Sequence, residues 1–119
     1  MNPKAQDTLN RIKYLIKEVA LLVNGFPKTT ASFKIAEQIL SSVTSIGANF
    51  VEAQSARSRK EFISIIGVVL RETKETIFWL EIIEDLNLTS LGKIDKILKE
   101  CKELAKIFSS IILTSSKRS

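Results

Sequence analysis

Apolar residues recur at alternating intervals of three and four positions through four segments of the chain. This interval places them along one side of an α-helix, so each segment predicts an amphipathic helix with an apolar seam. Only four glycines and two prolines occur among the 119 residues, too few for a turn-rich β fold. Because the connections between the segments are short, we predict an all-α fold: an antiparallel, up-down-up-down four-helix bundle in a single domain over residues 1–119.

Residues that commonly begin or end helices define the expected boundaries. The helices are expected at about residues 7–24, 31–56, 59–86 and 91–113. Gly25 should end the first helix in a left-handed conformation, and Pro27 should prevent its continuation. Ser58, followed three residues later by Glu61, forms a capping box that should begin the third helix. Ser90 can cap the fourth helix.

The predicted seam of helix 2 contains a glycine. Its members are Phe33, Ala36, Leu40, Val43, Gly47 and Phe50. A glycine in a helix interior costs roughly 1 kcal/mol relative to alanine. Gly47 therefore marks a kink or a close approach of another helix, or it is a glycine that the helix simply tolerates.

Three helices carry a second row of apolar residues beside the seam. In helix 4 the predicted seam is Ile94, Leu98, Cys101, Ala105, Phe108 and Ile112, and the second row is Ile97, Leu104 and Ile111. The second rows of helices 1 and 3 are Leu15, Leu22, Phe26, Ile63, Leu70 and Ile77. These rows either thicken a single core or contact other subunits. Because large exposed apolar patches are rare on monomers, we expect Ile97, Leu104 and Ile111 to form an interface between copies of the chain.

Basic residues outnumber acidic ones by 18 to 13, giving a formal net charge of +5. This excess favours anionic partners such as RNA, DNA or acidic membrane surfaces. Arg57, Arg59 and Lys60, which we call the basic cluster, lie between helices 2 and 3. In the predicted topology this connection shares one end of the bundle with both termini, which add Lys4, Lys117 and Arg118. These residues are candidates for contacting phosphates; the alternative is an ordinary solvent-exposed turn.

Several function classes are excluded or disfavoured by residue usage. The chain has no histidine, and Cys101 is its only cysteine, so an internal disulfide and metal or nucleophile sites that need histidine are impossible. The N-terminal sequence lacks the apolar core of a signal peptide, and the longest apolar runs are too short to cross a bilayer. We expect a cytoplasmic protein that is not an enzyme, contacts no membrane and needs no metal or other cofactor.

Four polar residues interrupt the predicted helices at regular spacing. Asn49 and Glu52 fall on one stripe of helix 2, and Arg71 and Glu75 lie one turn apart on helix 3. We expect them to form a hydrogen-bonded structural network that fixes helix register or a subunit contact. The alternative uses Glu52 and Glu75 as paired carboxylates for acid–base catalysis. It is disfavoured because no histidine or nucleophile motif accompanies them.

Three stretches of the chain resemble one known family. They are Phe26–Pro27, SIGANFVEAQSARSRKEF at residues 45–62 and RETKETIFWLEII at residues 71–83. The recurring residues within them are Ser45, Ile46, Asn49, Glu52, Ala53, Ser58, Glu61, Phe62, Glu75, Thr76, Trp79 and Leu80. With these motifs the chain resembles, over about residues 7–113, the small bacterial four-helix-bundle proteins encoded in intervening sequences of 23S ribosomal RNA genes. Gly47 stands where many members have proline, and Ala53 where many have glycine; both residues suit a continuous helix.

The resemblance implies a left-handed four-helix bundle that assembles as a homopentamer around a central channel. The chain is also similar to the accessory protein of diversity-generating retroelements, which shares that fold and works with a reverse transcriptase and nucleic acid. We expect non-enzymatic binding of RNA or another nucleic acid, with Arg57, Arg59, Lys60, Lys117 and Arg118 contacting phosphates rather than bases. The alternative function is a protein-interaction scaffold or accessory factor, for example for a reverse transcriptase, without direct RNA binding.

Overall fold

Four α-helices and no β-strand occur in residues 1–117, the part of the chain that the computed structural model describes. The helices are α1 (Pro3–Asn24), α2 (Thr30–Ala53), α3 (Arg59–Asp85) and α4 (Leu91–Ser116). The molecule measures 49 × 23 × 21 Å, so helices that are roughly 33–40 Å long must lie close to its long axis. The prediction of an all-α architecture with four helices is confirmed.

Side-chain caps begin three of the helices. Asn2 accepts a hydrogen bond from Ala5 N at 2.7 Å and precedes Pro3, so α1 begins about four residues earlier than predicted. Thr29 caps α2 in the same way. Ser58 accepts from Glu61 N at 3.1 Å, which confirms it as the residue that begins α3.

Three helix ends differ from the expected ones. α4 continues to Ser116 instead of ending at about residue 113. α2 ends at Ala53 rather than near residue 56, because the next three amides bond to carbonyls only three residues back and tighten the chain out of the helix. Gly25 ends α1 with φ of −91°, so the expected left-handed conformation is wrong. The left-handed residue is Asn87, with φ of 53°, two residues after the end of α3.

The core of α4 uses the row that was expected to contact other subunits. Ile97 is 5% exposed and Leu104 is fully buried within a single chain, so the expectation that they form an oligomer interface is wrong. They continue the alternating spacing from Ile94, whereas Leu98 on the other row is only half-buried. In α1 the second row is likewise buried. Both rows are apolar in sequence, and helix rotation in the packed bundle decides between them.

The register of α2 also differs from the predicted seam. Phe33 is 62% exposed, whereas Ser32, Ile35 and Ile39 are buried. Ser32 can be buried at little cost because Thr29 donates a hydrogen bond to its hydroxyl at 3.0 Å. A seam that begins at the largest apolar residue therefore misses the buried face at this end of α2.

Gly47 marks a close approach between α2 and α1. A Cβ atom at this position would lie 3.1 Å from Ile16 Cδ1 and 3.4 Å from Ile12 Cγ2. The residue is buried within a continuous helix. Of the three interpretations offered by the sequence, the structure supports helix approach.

A buried pair of hydroxyl groups joins α2 to α3. Ser42 Oγ and Thr76 Oγ1 lie 2.8 Å apart. Ser42 Oγ also lies 3.0 Å from Ile39 O, and Thr76 Oγ1 lies 2.9 Å from Glu72 O. One of the two hydroxyls therefore donates across the helices while the other donates to a carbonyl of its own helix. This contact combines a specific inter-helix hydrogen bond with a backbone partner, so neither hydroxyl is left unsatisfied in the core.

Ion pairs join α1 to α4. Arg11 Nε donates to Glu100 Oε1 at 3.0 Å, and Lys96 Nζ lies 4.0 Å from Glu18 Oε1. Glu18 comes later than Arg11 in α1, whereas its partner Lys96 comes earlier than Glu100 in α4. Side chains in the first pair are 38% and 25% exposed, so we expect it to contribute no more than about 1 kcal/mol.

Candidate nucleic-acid interface

The basic cluster lies at the connection between α2 and α3. Arg57 belongs to the connection, Arg59 and Lys60 are the first two residues of α3, and all three are exposed. The Ser58 cap fixes the residue at which α3 begins. It thereby places two cations beside the N-terminus of that helix.

The first turn of a helix is an unfavourable position for a cation. The helix N-terminus carries partial positive charge, so Arg59 and Lys60 are each disfavoured there by about 0.3–1 kcal/mol. Glu61 in the same turn offsets part of this cost. An anionic ligand would be attracted by these side chains and by the helix terminus together.

A cavity of about 890 Å³, which we call the end cavity, lies where residues from all four helices meet. Its lining comes from Asn2, Pro3, Lys4, Ala5, Thr8, Phe50, Gln54, Arg59, Phe62, Ile107, Ser110, Ile111, Thr114 and Ser115. α1 and α3 begin here, and α2 and α4 end here. Since two helices start and two finish, their dipoles largely offset one another, and charged side chains decide the sign of the local potential.

The charged side chains that line the end cavity are both positive. Its lining includes Lys4 and Arg59 and no acidic residue. Lys117, an exposed residue that follows the last turn of α4, comes two positions after Ser115 in the lining. The structure thus brings Lys4, the basic cluster and Lys117 to one end of the molecule. Arg118 lies outside the described residues.

The four polar residues predicted as a network do not form one. Asn49 is half-buried, but its amide donates to Ser45 O of its own helix at 2.9 Å. Glu52, Arg71 and Glu75 are exposed. Within the described part of one chain, no hydrogen bond or ion pair joins Asn49 or Glu52 to Arg71 or Glu75, so the expectation that they fix the register of α2 and α3 is wrong. Their role in a subunit contact stays a prediction. The buried hydroxyl pair described above makes the polar contact between α2 and α3.

Carboxyl groups on α3 limit how far a phosphate-binding surface can extend. Burial raises the pKa of Glu72, and the neighbouring Glu75 raises it further by repulsion and a side-chain hydrogen bond, while Arg71 opposes the shift. Two adjacent carboxyls would repel a phosphate group. The candidate interface therefore belongs to the bundle end and excludes this part of α3.

A separate apolar surface lies near the C-terminal end of α3. Phe78 and Leu86 are 50% and 48% exposed, and Trp79 and Ile82 are half-buried beside them. The rings of Phe78 and Trp79 meet edge to face with centroids 4.9 Å apart. Spacing of four residues puts Phe78, Ile82 and Leu86 along one side of the helix. We call these four residues the α3 apolar face.

Sequence comparison assigns the chain to a family. Residues 4–110 match the 23S rRNA-intervening sequence protein family. The chain belongs to this family. The resemblance predicted from the motifs at residues 45–62 and 71–83 is thereby confirmed.

One solved relative of this intervening-sequence protein supports the same fold. It is a protein of unknown function from the S23 ribosomal protein family of Bacteroides thetaiotaomicron VPI-5482. The two chains are 30% identical, and the match covers 88% of this chain and 97% of the relative with a TM-score of 0.82. No curated protein matches the chain. Neither the family description nor the relative's describes an enzyme.

Several family residues have structural tasks in this intervening-sequence protein. Ser58 caps α3, Phe62 lines the end cavity, and Thr76 forms the buried hydroxyl pair. Glu52 and Glu75 are exposed. The motif therefore mainly specifies the junction of α2 with α3, which is where the basic cluster lies.

The sequence analysis missed the end cavity. Ala5 and Thr8 line it from α1, and Ser110 and Thr114 line it from α4. Farther along α1, the larger side chain of Leu15 is 1% exposed and belongs to the core. The available signal was the change from large apolar to small residues towards one end of both helices.

Three further observations concern chemistry and membranes. Burial raises the pKa of the Cys101 thiol to about 12, with Glu100 adding to the shift, so at neutral pH this thiol is protonated and a poor nucleophile. Within residues 1–117, no group of three or more His, Cys, Asp or Glu side chains is arranged to hold a metal ion. No helix in that range combines the length and apolar character needed to span a membrane.

Proposed function

We propose that this protein is a non-enzymatic, cytoplasmic intervening-sequence protein that binds RNA or another nucleic acid through its basic end. Arg57, Arg59 and Lys60 contact phosphates, with Lys117 and Arg118 contributing to the same surface. The single observation that carries the proposal is the exposed basic cluster at the N-terminus of α3, where helix stability disfavours it. The absence of acidic residues from the lining of the end cavity supports it.

The proposed assembly is a homopentamer of left-handed, antiparallel, up-down-up-down bundles. The opposite order of the two α1–α4 ion pairs supports the antiparallel arrangement. The α3 apolar face supports self-association, because such surfaces are usually covered in soluble proteins. Copies arranged side by side would place their basic ends on one rim and add their positive potentials.

A salt titration of RNA binding tests the function. In the triple variant Arg57→Gln, Arg59→Gln and Lys60→Gln, affinity for a hairpin RNA should fall sharply. The plot of log affinity against log salt concentration should become shallower by about 2–3 units per protomer, since each neutralised phosphate contributes roughly 0.7–0.9. Fluorescence anisotropy of the labelled RNA measures both quantities.

A matched control removes the same charge elsewhere. Lys99, Lys102 and Lys106 are exposed along α4 and alternate with Glu100 and Glu103. Their replacement by glutamine lowers the net charge equally but should leave the salt slope much closer to that of the unmodified protein. Equal effects of the two triple variants would show that only overall charge matters, and unchanged binding by the first variant would refute the proposed interface.

The second candidate function is a protein-interaction scaffold or an accessory factor, for example for a reverse transcriptase. The α3 apolar face favours it, because Phe78 exposes half of an aromatic side chain that a partner could bury. The variant Phe78→Lys separates the roles of this surface. A lower solution mass by light scattering would indicate self-association, whereas an unchanged mass with loss of a captured protein would indicate a scaffold.

A control at another exposed apolar residue completes this test. Leu21 on α1 is 67% exposed and does not belong to the α3 apolar face. Leu21→Lys should change neither the solution mass nor the capture of a partner. A single-chain mass of 13.3 kDa for the unmodified protein at micromolar concentration would refute the proposed pentamer.

A further inference from the structure

The end cavity has the size and the apolar walls of a small-ligand site. Its volume of about 890 Å³ falls within the ~300–1,000 Å³ typical of ligand pockets. Phe50, Phe62, Ile107 and Ile111 supply its apolar walls. Phe50 is held by the ring of Phe108, with centroids 6.1 Å apart, so this part of the wall is fixed by the core.

Polar groups alternate with these apolar walls. Thr8 Oγ1 donates to Lys4 O at 3.2 Å, and Gln54 Nε2 donates to Phe50 O at 3.0 Å. Both side chains therefore keep an oxygen that can accept a hydrogen bond. Ser110 and Thr114 add hydroxyl groups from α4. A saturated acyl chain would leave these groups unpaired, whereas a planar base with polar edges and apolar faces could use both kinds of wall.

The charge of the lining selects an anion. Lys4 comes from α1 and Arg59 from α3, and the lining contains no carboxylate. A nucleotide combines the required features: an aromatic base for the apolar walls, donors and acceptors for the hydroxyls, and a phosphate for the cations.

We propose that the end cavity binds one unpaired nucleotide of an RNA strand. The base enters between the apolar and hydroxyl-bearing side chains, and its phosphate lies at Lys4 and Arg59. This inference rests on the proposed nucleic-acid binding and adds a base contact to it. The basic cluster holds the RNA backbone, and the end cavity distinguishes unpaired from paired or missing bases.

The test compares two RNAs that differ only in their bases. One is a hairpin with an unpaired uridine loop, and the other is the same hairpin with abasic residues in the loop, so their phosphates are equal in number. Two variants of the full chain accompany the unmodified protein. Ser110→Phe fills the end cavity. Ser109→Phe makes the same change at the preceding residue of α4, which is exposed and does not line the cavity.

Fluorescence anisotropy should show that the unmodified protein prefers the uridine loop by at least about fivefold, the lower end of what one stacked base contributes. Ser110→Phe should remove this preference and keep the affinity for the abasic hairpin. Ser109→Phe should keep both. Thr114→Leu gives a second way to fill the cavity if Ser110→Phe lowers the helix content measured by circular dichroism.

Other outcomes overturn the inference and separate its failure from that of the proposed function. Equal affinity of the unmodified protein for both hairpins would refute base binding but leave electrostatic RNA binding intact. No affinity for either hairpin would refute both. Equal loss of preference in Ser110→Phe and Ser109→Phe would place the base outside the cavity. Uridine monophosphate that binds to the unmodified protein and fails to bind to Ser110→Phe would show that a free nucleotide also supplies the ligand.

Discussion

The buried hydroxyl pair between α2 and α3 allows a quantitative test of how these helices are held in register. Ser42 Oγ and Thr76 Oγ1 are 2.8 Å apart, and each residue is at most 4% exposed. Each hydroxyl also contacts a carbonyl of its own helix, Ile39 O or Glu72 O. The two hydroxyl protons are thus shared among three possible hydrogen bonds. When one hydroxyl is removed, the other can still donate to the carbonyl of its own helix and is not left without a hydrogen-bond partner.

This geometry sets the expected magnitudes. Thr76→Val and Ser42→Ala should each lower the free energy of unfolding by about 1 kcal/mol, because each loses one net hydrogen bond without stranding a buried donor. The double variant should lose little more than either single variant, since the hydroxyl that remains in a single variant bonds only to a carbonyl of its own helix, and such a bond adds little to stability. The expected coupling energy is about 1 kcal/mol.

Denaturant unfolding at one fixed protein concentration measures these energies, because self-association would otherwise shift apparent stability. A loss of 1 kcal/mol also corresponds to roughly 4 °C in Tm for a chain of this size. Thr73→Val is the control: Thr73 is fully buried, but its hydroxyl donates to Val69 O of its own helix at 2.8 Å. Its effect should add to that of Ser42→Ala. Additive effects of Ser42→Ala and Thr76→Val would refute the argument.

Three further predictions concern packing and ionisation. Gly67→Ala should raise the free energy of unfolding by about 1 kcal/mol, because a Cβ atom there would meet no atom within 4 Å. Gly47→Ala should raise it clearly less, because its Cβ atom would crowd α1. Thermal unfolding of the two variants measures the difference. Cys101, with its pKa raised to about 12, should react with iodoacetamide at neutral pH only after unfolding, and rapid alkylation of the native protein would contradict its burial. Glu72→Gln should raise Tm at neutral pH, because the raised pKa of Glu72 means that its charged form is disfavoured in the folded protein. The gain in Tm should vanish at acidic pH, where Glu72 is protonated. A gain that stays constant with pH would contradict the raised pKa of Glu72.

Local signals in the sequence were sufficient to predict the helices. Ser58 and Glu61 identify the start of α3 because a cap depends on residues three positions apart. The same spacing on α3 runs through Phe62, Ile66, Val69, Thr73, Thr76, Leu80 and Ile83, and all but Phe62 are buried. The second row of this helix, Ile63, Leu70 and Ile77, is only half-buried, so on α3 the predicted seam does face the core.

The second apolar rows show where sequence spacing was insufficient. Ile97 and Leu98 are adjacent, and either can continue a seam that includes Ile94 and Cys101. A rotation of α4 about its axis by less than one residue step exchanges the two rows, and only packing against the other helices determines it. The sequence therefore placed Ile94, Cys101 and Phe108 in the core correctly, but between them it chose Leu98 and Ala105 where the structure buries Ile97 and Leu104.

The end cavity could not be predicted because it depends on what the helices fail to fill. Small residues such as Ala5 and Ser110 line it, yet a small residue in a sequence does not reveal whether a neighbour occupies the space. Burying a leucine side chain in such a space would stabilise the fold by about 1.5–3 kcal/mol. The chain instead keeps the cavity open beside Lys4 and Arg59, with no carboxylate in the lining. The proposed binding of an anionic ligand with an apolar part would account for the open space and the two like charges together.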